Sequence, residues 1–79
     1  MINYDISDIA VLKTFYLYLR QGDYYEVYTH LMKVNDDILH STCQDTLKGL
    51  VLSGLVEEHK DQYALTAKGI QVCFILFDR

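Results

Sequence analysis

The sequence predicts an α+β domain, mainly helical with a small β-hairpin, on three observations. Four stretches carry apolar residues at three- and four-residue steps, the spacing of a buried helix face. One segment, Leu55 to Thr66, instead reads as two short strands joined by a polar turn. Four glycines and no proline punctuate the chain, three of the glycines at expected structural positions. The resulting order is helix, helix, helix, strand, strand, helix. Seventy-nine residues, 51% hydrophobic and 23% charged, allow a single compact domain over residues 1–79. So small a domain buries a modest share of its unfolded surface, and stabilisation by a partner subunit is expected.

The first helix is expected from about Ser7 to Arg20, with Ile9, Leu12, Phe15, Tyr16 and Leu19 on one face. Ser7 or Asp5 can cap its start, and Gly22 is expected to end it in the left-handed conformation. Asp23 and Glu26 have the spacing of a capping box for a second helix, whose inward stripe is Tyr24, Val27, Tyr28 and Leu31, up to about Met32. Lys33, Val34 and Asn35 leave a tight turn. In the third helix, Asp37 to Ser53, Leu39, Cys43, Thr46, Leu47 and Leu50 lie inward, and Gly54 stops it. Two helices joined so closely suggest helix-turn-helix. The hairpin turn, Lys60 to Gln62, has no glycine and is expected to be a loose loop. Thr66 can cap a last helix over Ala67 to about Asp78, with Gly69 weakening its first turn by roughly 1 kcal/mol relative to alanine.

The run Leu47, Leu50, Gly54, Leu55, Val56 and Glu57, followed by Tyr63, Leu65, Thr66, Lys68 and Gly69, resembles the winged helix-turn-helix superfamily. The likeness is to small MarR-like and PadR-like transcription regulators, and it covers roughly Asp23 to Ile70. It implies that the third helix lies in a DNA major groove and that the wing, Glu57 to Gln62, touches the flanking backbone or minor groove. Turning Leu39 and Leu50 inward sends Asp37, Ser41, Gln44, Asp45, Lys48 and Leu52 outward, with Thr42 at the margin. The candidate nucleic-acid contacts are therefore Ser41, Thr42, Gln44, Asp45 and Lys48 on the helix and His59, Lys60 and Gln62 on the wing. Regulators of this kind usually carry arginines in the wing, whereas this chain has Glu57, Glu58, His59, Lys60, Asp61 and Gln62. With a formal net charge of −4, long-range attraction to phosphate is opposed.

Seven tyrosines invite an aromatic ligand pocket, but Tyr16, Tyr24 and Tyr28 fall on inward stripes and are expected to be half-buried core. Tyr18 and Tyr25 lie off the stripes and are the better candidates for a partner surface. Cys43 and Cys73 are expected to be buried apolar residues, with no disulfide framework, and the three histidines lack metal-ligand spacing. No cofactor or metal is expected. Nucleophile elbow, phosphate-cradling loop and paired catalytic carboxylates are missing from the sequence, so an enzyme is not expected. The longest apolar run, Val72 to Phe77, is far too short for a bilayer span of ~20 residues, and residues 1–8 do not resemble a secretory signal. No membrane association and a reducing, cytoplasmic location are expected.

In the last helix Ile70, Cys73, Phe74 and Phe77 occupy one face while Val72, Ile75 and Leu76 occupy roughly the opposite one. One small domain cannot cover both, so residues 67–79 are expected to form a dimerisation helix, with interface residues Leu17, Tyr18, Val72, Ile75 and Leu76. Alternatively the last turns fold back along the first helix. The function expected from the sequence is a homodimeric DNA-binding transcriptional regulator acting on double-stranded DNA. The alternative is a protein-interaction module, an adaptor or anti-regulator docking on a polymerase subunit or another regulator, with little or no DNA binding.

Overall fold

The computed structural model describes residues 4–78, so Arg79, at the end of the expected dimerisation helix, lies outside the described residues, as do residues 1–3. Among the described residues four helices and a three-stranded antiparallel sheet make an α+β domain. The chain order is α1 (Ile6–Leu17), β1 (Gln21–Gly22), α2 (Tyr24–Val34), α3 (His40–Leu52), β2 (Val56–His59), β3 (Gln62–Leu65) and α4 (Ala67–Phe77).

Helix α1 is the central element and packs on α2, α3 and α4. It therefore buries more than one stripe: Ala10, Val11, Leu12, Thr14 and Phe15 are all in the core, while Ile9 and Tyr16 are only half-buried. The Thr14 hydroxyl, buried with them, donates to the Ala10 carbonyl at 2.8 Å. Asp5 is the cap, accepting from the Asp8 amide at 2.9 Å while the Asp8 carboxylate accepts from the Asp5 amide at 3.2 Å. The helix ends at Leu17, short of Arg20, and Gly22 does not stop it. Instead Gln21 and Gly22 form β1 and pair with Ala64 and Tyr63, making a strand that was not expected. Gly22 is there for room: a Cβ would lie 3.0 Å from the Leu19 side chain and 3.1 Å from Glu26 Cβ.

The capping box of α2 is present, with the Glu26 amide donating to Asp23 at 2.9 Å and the Asp23 amide to Glu26 at 3.0 Å. Val27 and Leu31 reach the core. Helix α3 begins at His40 rather than Asp37, and this overturns the inward placement of Leu39. Leu39 is the extended N-cap, 66% exposed, because helical phase does not carry past the first helical residue. Ile38 fills the core instead, its carbonyl accepting from the Tyr28 hydroxyl at 3.1 Å. Cys43, Thr46, Leu47 and Leu50 are buried as expected, and Gly54, at φ +80°, ends the run.

Strand β3 lies between β1 and β2, with Val56 opposite Leu65 and His59 opposite Gln62. The hairpin turn is thus tight, not a loose loop: only Lys60 and Asp61 span it, at φ 49° and 64°. Two left-handed residues form a primed turn, whose twist matches the flanking strands even without glycine. Gln62 belongs to the strand.

Thr66 ties α4 to the end of α3. Its hydroxyl donates to the Gly54 carbonyl at 2.6 Å and accepts from the Gly69 amide at 3.0 Å. Gly69 is a structural requirement rather than a weak start, since a Cβ there would sit 2.0 Å from the Leu55 carbonyl oxygen. That close approach sets the rotation of α4, and the residues at i, i+3, i+4 and i+7 from Gly69 turn inward: Val72, Cys73 and the partly buried Leu76. Cys73 donates to the Leu12 carbonyl at 3.6 Å, and the Phe77 ring lies 5.9 Å from that of Tyr16, so α4 folds back along α1. Among the described residues no helix is long and apolar enough to cross a membrane.

Candidate nucleic-acid interface

Helix α3 offers its outer surface beside the hairpin. Ser41, Gln44, Asp45 and Lys48 are exposed on it, as the helical spacing implies, and Thr42 is half-buried at the margin. Asp37 is exposed but belongs to the turn before α3, where its amide donates to the Asn35 side chain at 3.1 Å. On the hairpin His59 and Lys60 are exposed, and Gln62 is half-buried in β3. Helix and hairpin meet through Tyr63 of β3, which lines a groove with Lys48.

The start of α3 has no side-chain cap, and its anchoring comes from α2. The His40 ring stacks on Tyr28 with centroids 3.8 Å apart and an interplanar angle of 20°. His40 Nδ1 is 3.0 Å from the Tyr24 hydroxyl, which also reaches the His40 carbonyl at 3.1 Å. A single hydroxyl proton serves only one acceptor, so a His40 carrying its proton on Nδ1 satisfies both contacts at once. Burial first, and neighbouring Cys43 second, push the Tyr24 hydroxyl up to about 12, which keeps it a neutral donor. From the sequence His40 was expected only to be no metal ligand, and Tyr24 to be half-buried core. No pattern along the chain signals their pairing, because it joins two helices and the start of α3 was expected at Asp37 rather than His40.

Two hollows flank α3 on this face. The larger, about 760 Å³, is lined by Tyr24, Tyr25, His40, Gln44, Asp45, Leu47, Lys48 and Tyr63. The smaller, about 240 Å³, is lined by Lys48, Val51, Leu52, Glu58 and Tyr63. Tyr25 is 74% exposed, in keeping with its expected place off the core stripe. The charged side chains lining the two hollows are Asp45, Glu58 and Lys48, all exposed, while Glu57, next to Glu58 in β2, points to the opposite face of the sheet. Burial and then Glu58 raise the Tyr63 hydroxyl above its ordinary range, so it too stays protonated at neutral pH.

The expected dimer residues do not all share a surface. Leu17, Tyr18 and Ile75 are exposed, Leu76 packs partly against the core, and Val72 is 8% exposed and belongs to the core. The apolar residues that α4 leaves in the open are Ile70, Phe74 and Ile75. Ile70 lies with Leu17 and Tyr18 around a third hollow of about 600 Å³, at the end of α1.

Both cysteines are free and buried. Burial raises the Cys43 thiol, partly offset by the Tyr24 hydroxyl, and pushes Cys73 up to about 11, so both stay protonated. Among the described residues no group of side chains is arranged to hold a metal ion. Compared with known proteins, the chain matches no family model, no curated protein and no solved structure.

Proposed function

We propose that the chain is a winged-helix, homodimeric DNA-binding regulator that reads duplex DNA through α3. The observation that carries this reading is the exposed polar row Ser41, Gln44, Asp45 and Lys48 on a helix that a short turn and the His40 anchor hold against α2. Hydroxyl and amide side chains on such a row can hydrogen-bond to base edges, and Lys48 supplies a phosphate or guanine contact. The pairing of β1 with β3 also supports it, because it ties the base of the hairpin to the helical body and leaves the Lys60–Asp61 tip projecting as a wing. Exposed Ile70, Phe74, Ile75, Leu17 and Tyr18 supply a surface for the second copy.

Acidic side chains around Lys48 oppose non-specific attraction, so discrimination rests on base-edge contacts rather than on phosphate neutralisation. The test is a titration of labelled genomic fragments with the unmodified protein and Lys48→Ala at two salt concentrations. Loss of the one basic contact on α3 weakens binding to every sequence and lowers the salt slope by about 1. Equal binding by both proteins at each salt removes α3 from the reading role.

The second reading, a protein-docking module, is favoured by one specific observation. Two carboxylates, Asp45 and Glu58, stand against the single lysine, Lys48, in the hollows along α3. On this reading no duplex is bound at moderate salt.

A further inference from the structure

The geometry points to a binding site for an extended basic segment of another protein in the groove along α3, with an arginine of that segment seated against Tyr25 and Asp45. The larger and smaller hollows both border Lys48 and Tyr63, and taken together as one groove their lining runs along α3 from His40 to Leu52, about 18 Å at 1.5 Å per residue. Five or six residues of extended chain cover that distance at roughly 3.3 Å each.

Chemistry along the groove selects the occupant. At its α2 end the exposed Tyr25 ring meets Tyr24 edge-on, 5.8 Å away at 73°, and Asp45 of α3 lines the same hollow. An aromatic face beside a carboxylate suits a guanidinium, which stacks on the ring and hydrogen-bonds the carboxylate in one plane, as a lysine ammonium cannot. At the other end Val51 and Leu52, the latter 88% exposed, offer an apolar seat next to Glu58. The floor of the α2 end is held in place, since Tyr24 is hydrogen-bonded to His40 and stacked on Tyr28. Phosphate would be repelled by the same carboxylates that attract arginine.

This inference stands apart from the DNA reading and uses the same face, so a bound segment and a duplex exclude each other. The test uses the unmodified chain, isotope-labelled for amide shift mapping, with a fluorescein-labelled hexapeptide of alternating arginine and leucine as probe. Shifts are expected at Tyr24, Tyr25, Gln44, Asp45, Lys48 and Tyr63. Tyr25→Ala should weaken binding about three- to tenfold by removing the ring under the guanidinium. Asp45→Lys should weaken it further, and both positions are exposed, so the fold is kept. Replacing the probe's arginines with lysine should lower affinity, and replacing them with glutamate should abolish binding.

Lys48→Glu separates this proposal from the DNA reading, since it strengthens the arginine probe and weakens a duplex. Shifts elsewhere, equal binding of the glutamate probe, or no effect of Tyr25→Ala overturn the arginine site. A duplex that shifts the groove residues while the arginine probe does not makes the face a nucleic-acid surface, and the proposal fails there while the DNA reading survives.

Discussion

Two glycines, both within helices, show how much a single hydrogen atom can decide. Gly69 abuts the Leu55 carbonyl where the start of α4 crosses the chain leaving α3, whereas a Cβ at Gly49 on α3 would meet nothing within 4 Å. The same substitution should therefore have opposite signs. Gly69→Ala should cost about 2 to 3 kcal/mol or more, because the group it strikes is backbone and α4 must shift to relieve the overlap. Gly49→Ala should instead stabilise by about 0.5 to 1 kcal/mol through helix propensity and a less free unfolded chain. Urea midpoints of the two variants measure both effects. Similar midpoints for the two would show that the α3–α4 junction yields more readily than the 2.0 Å approach implies. Neither role was legible in the sequence, since only the fold brings Leu55 to Gly69.

At the scale of elements, the hairpin turn makes a prediction of the same kind. Lys60 and Asp61 are both left-handed, a conformation that Asn and Gly adopt at lower cost. Lys60→Asn together with Asp61→Gly should raise stability by about 1 kcal/mol with the hairpin register unchanged. Thermal melts with amide exchange across β2 and β3 check this, and a lower melting temperature would mean that the lysine and aspartate side chains contribute more than their backbone strain costs. The elements whose ends depend on local chemistry were readable from the sequence: the Asp23 box, the Thr66 cap, the Gly54 stop and, as one of two alternatives with Ser7, the Asp5 cap, though not its box with Asp8. What was not readable depends on partners distant in sequence. Strand β1 has two residues and exists only because β3 lies beside it. Leu39 and Ile38 exchange roles because α3 starts three residues later than its apolar spacing implies. In the candidate site, the exposure of Ser41, Gln44, Asp45 and Lys48 followed from periodicity alone, but the Tyr24–His40–Tyr28 anchor joins two helices and has no pattern along the chain.

Over the whole molecule, apolar side chains stand open in two places: Tyr25, Leu39 and Leu52 on or beside α3, and a second group on α4 and at the end of α1. Ile70, Phe74, Ile75, Leu17 and Tyr18 are each between 51% and 58% exposed. Scattered single apolar residues need no explanation, but Ile70, Leu17 and Tyr18 border one hollow, and Phe74 lies one helical turn beyond Ile70. A second copy would fill that hollow with the same side chains it offers, which is the self-complementarity a twofold interface requires. Covering the exposed halves of five such side chains removes roughly 400 to 500 Å² per copy, so with a rim the pair approaches the roughly 1,000 Å² total at which specific interfaces begin. An interface at that lower limit is expected to dissociate in the micromolar range. Sedimentation of the unmodified protein should show dimers giving way to monomers on dilution through that range. Phe74→Glu and Ile75→Glu should leave monomers with an unchanged circular dichroism spectrum, since neither side chain is in the core. Val72→Glu should unfold the domain instead, because it places a charge beside Cys73 within the core. A protein that stays monomeric at several hundred micromolar, or a Phe74→Glu variant that still dimerises, would sink the assignment of this surface to a second copy.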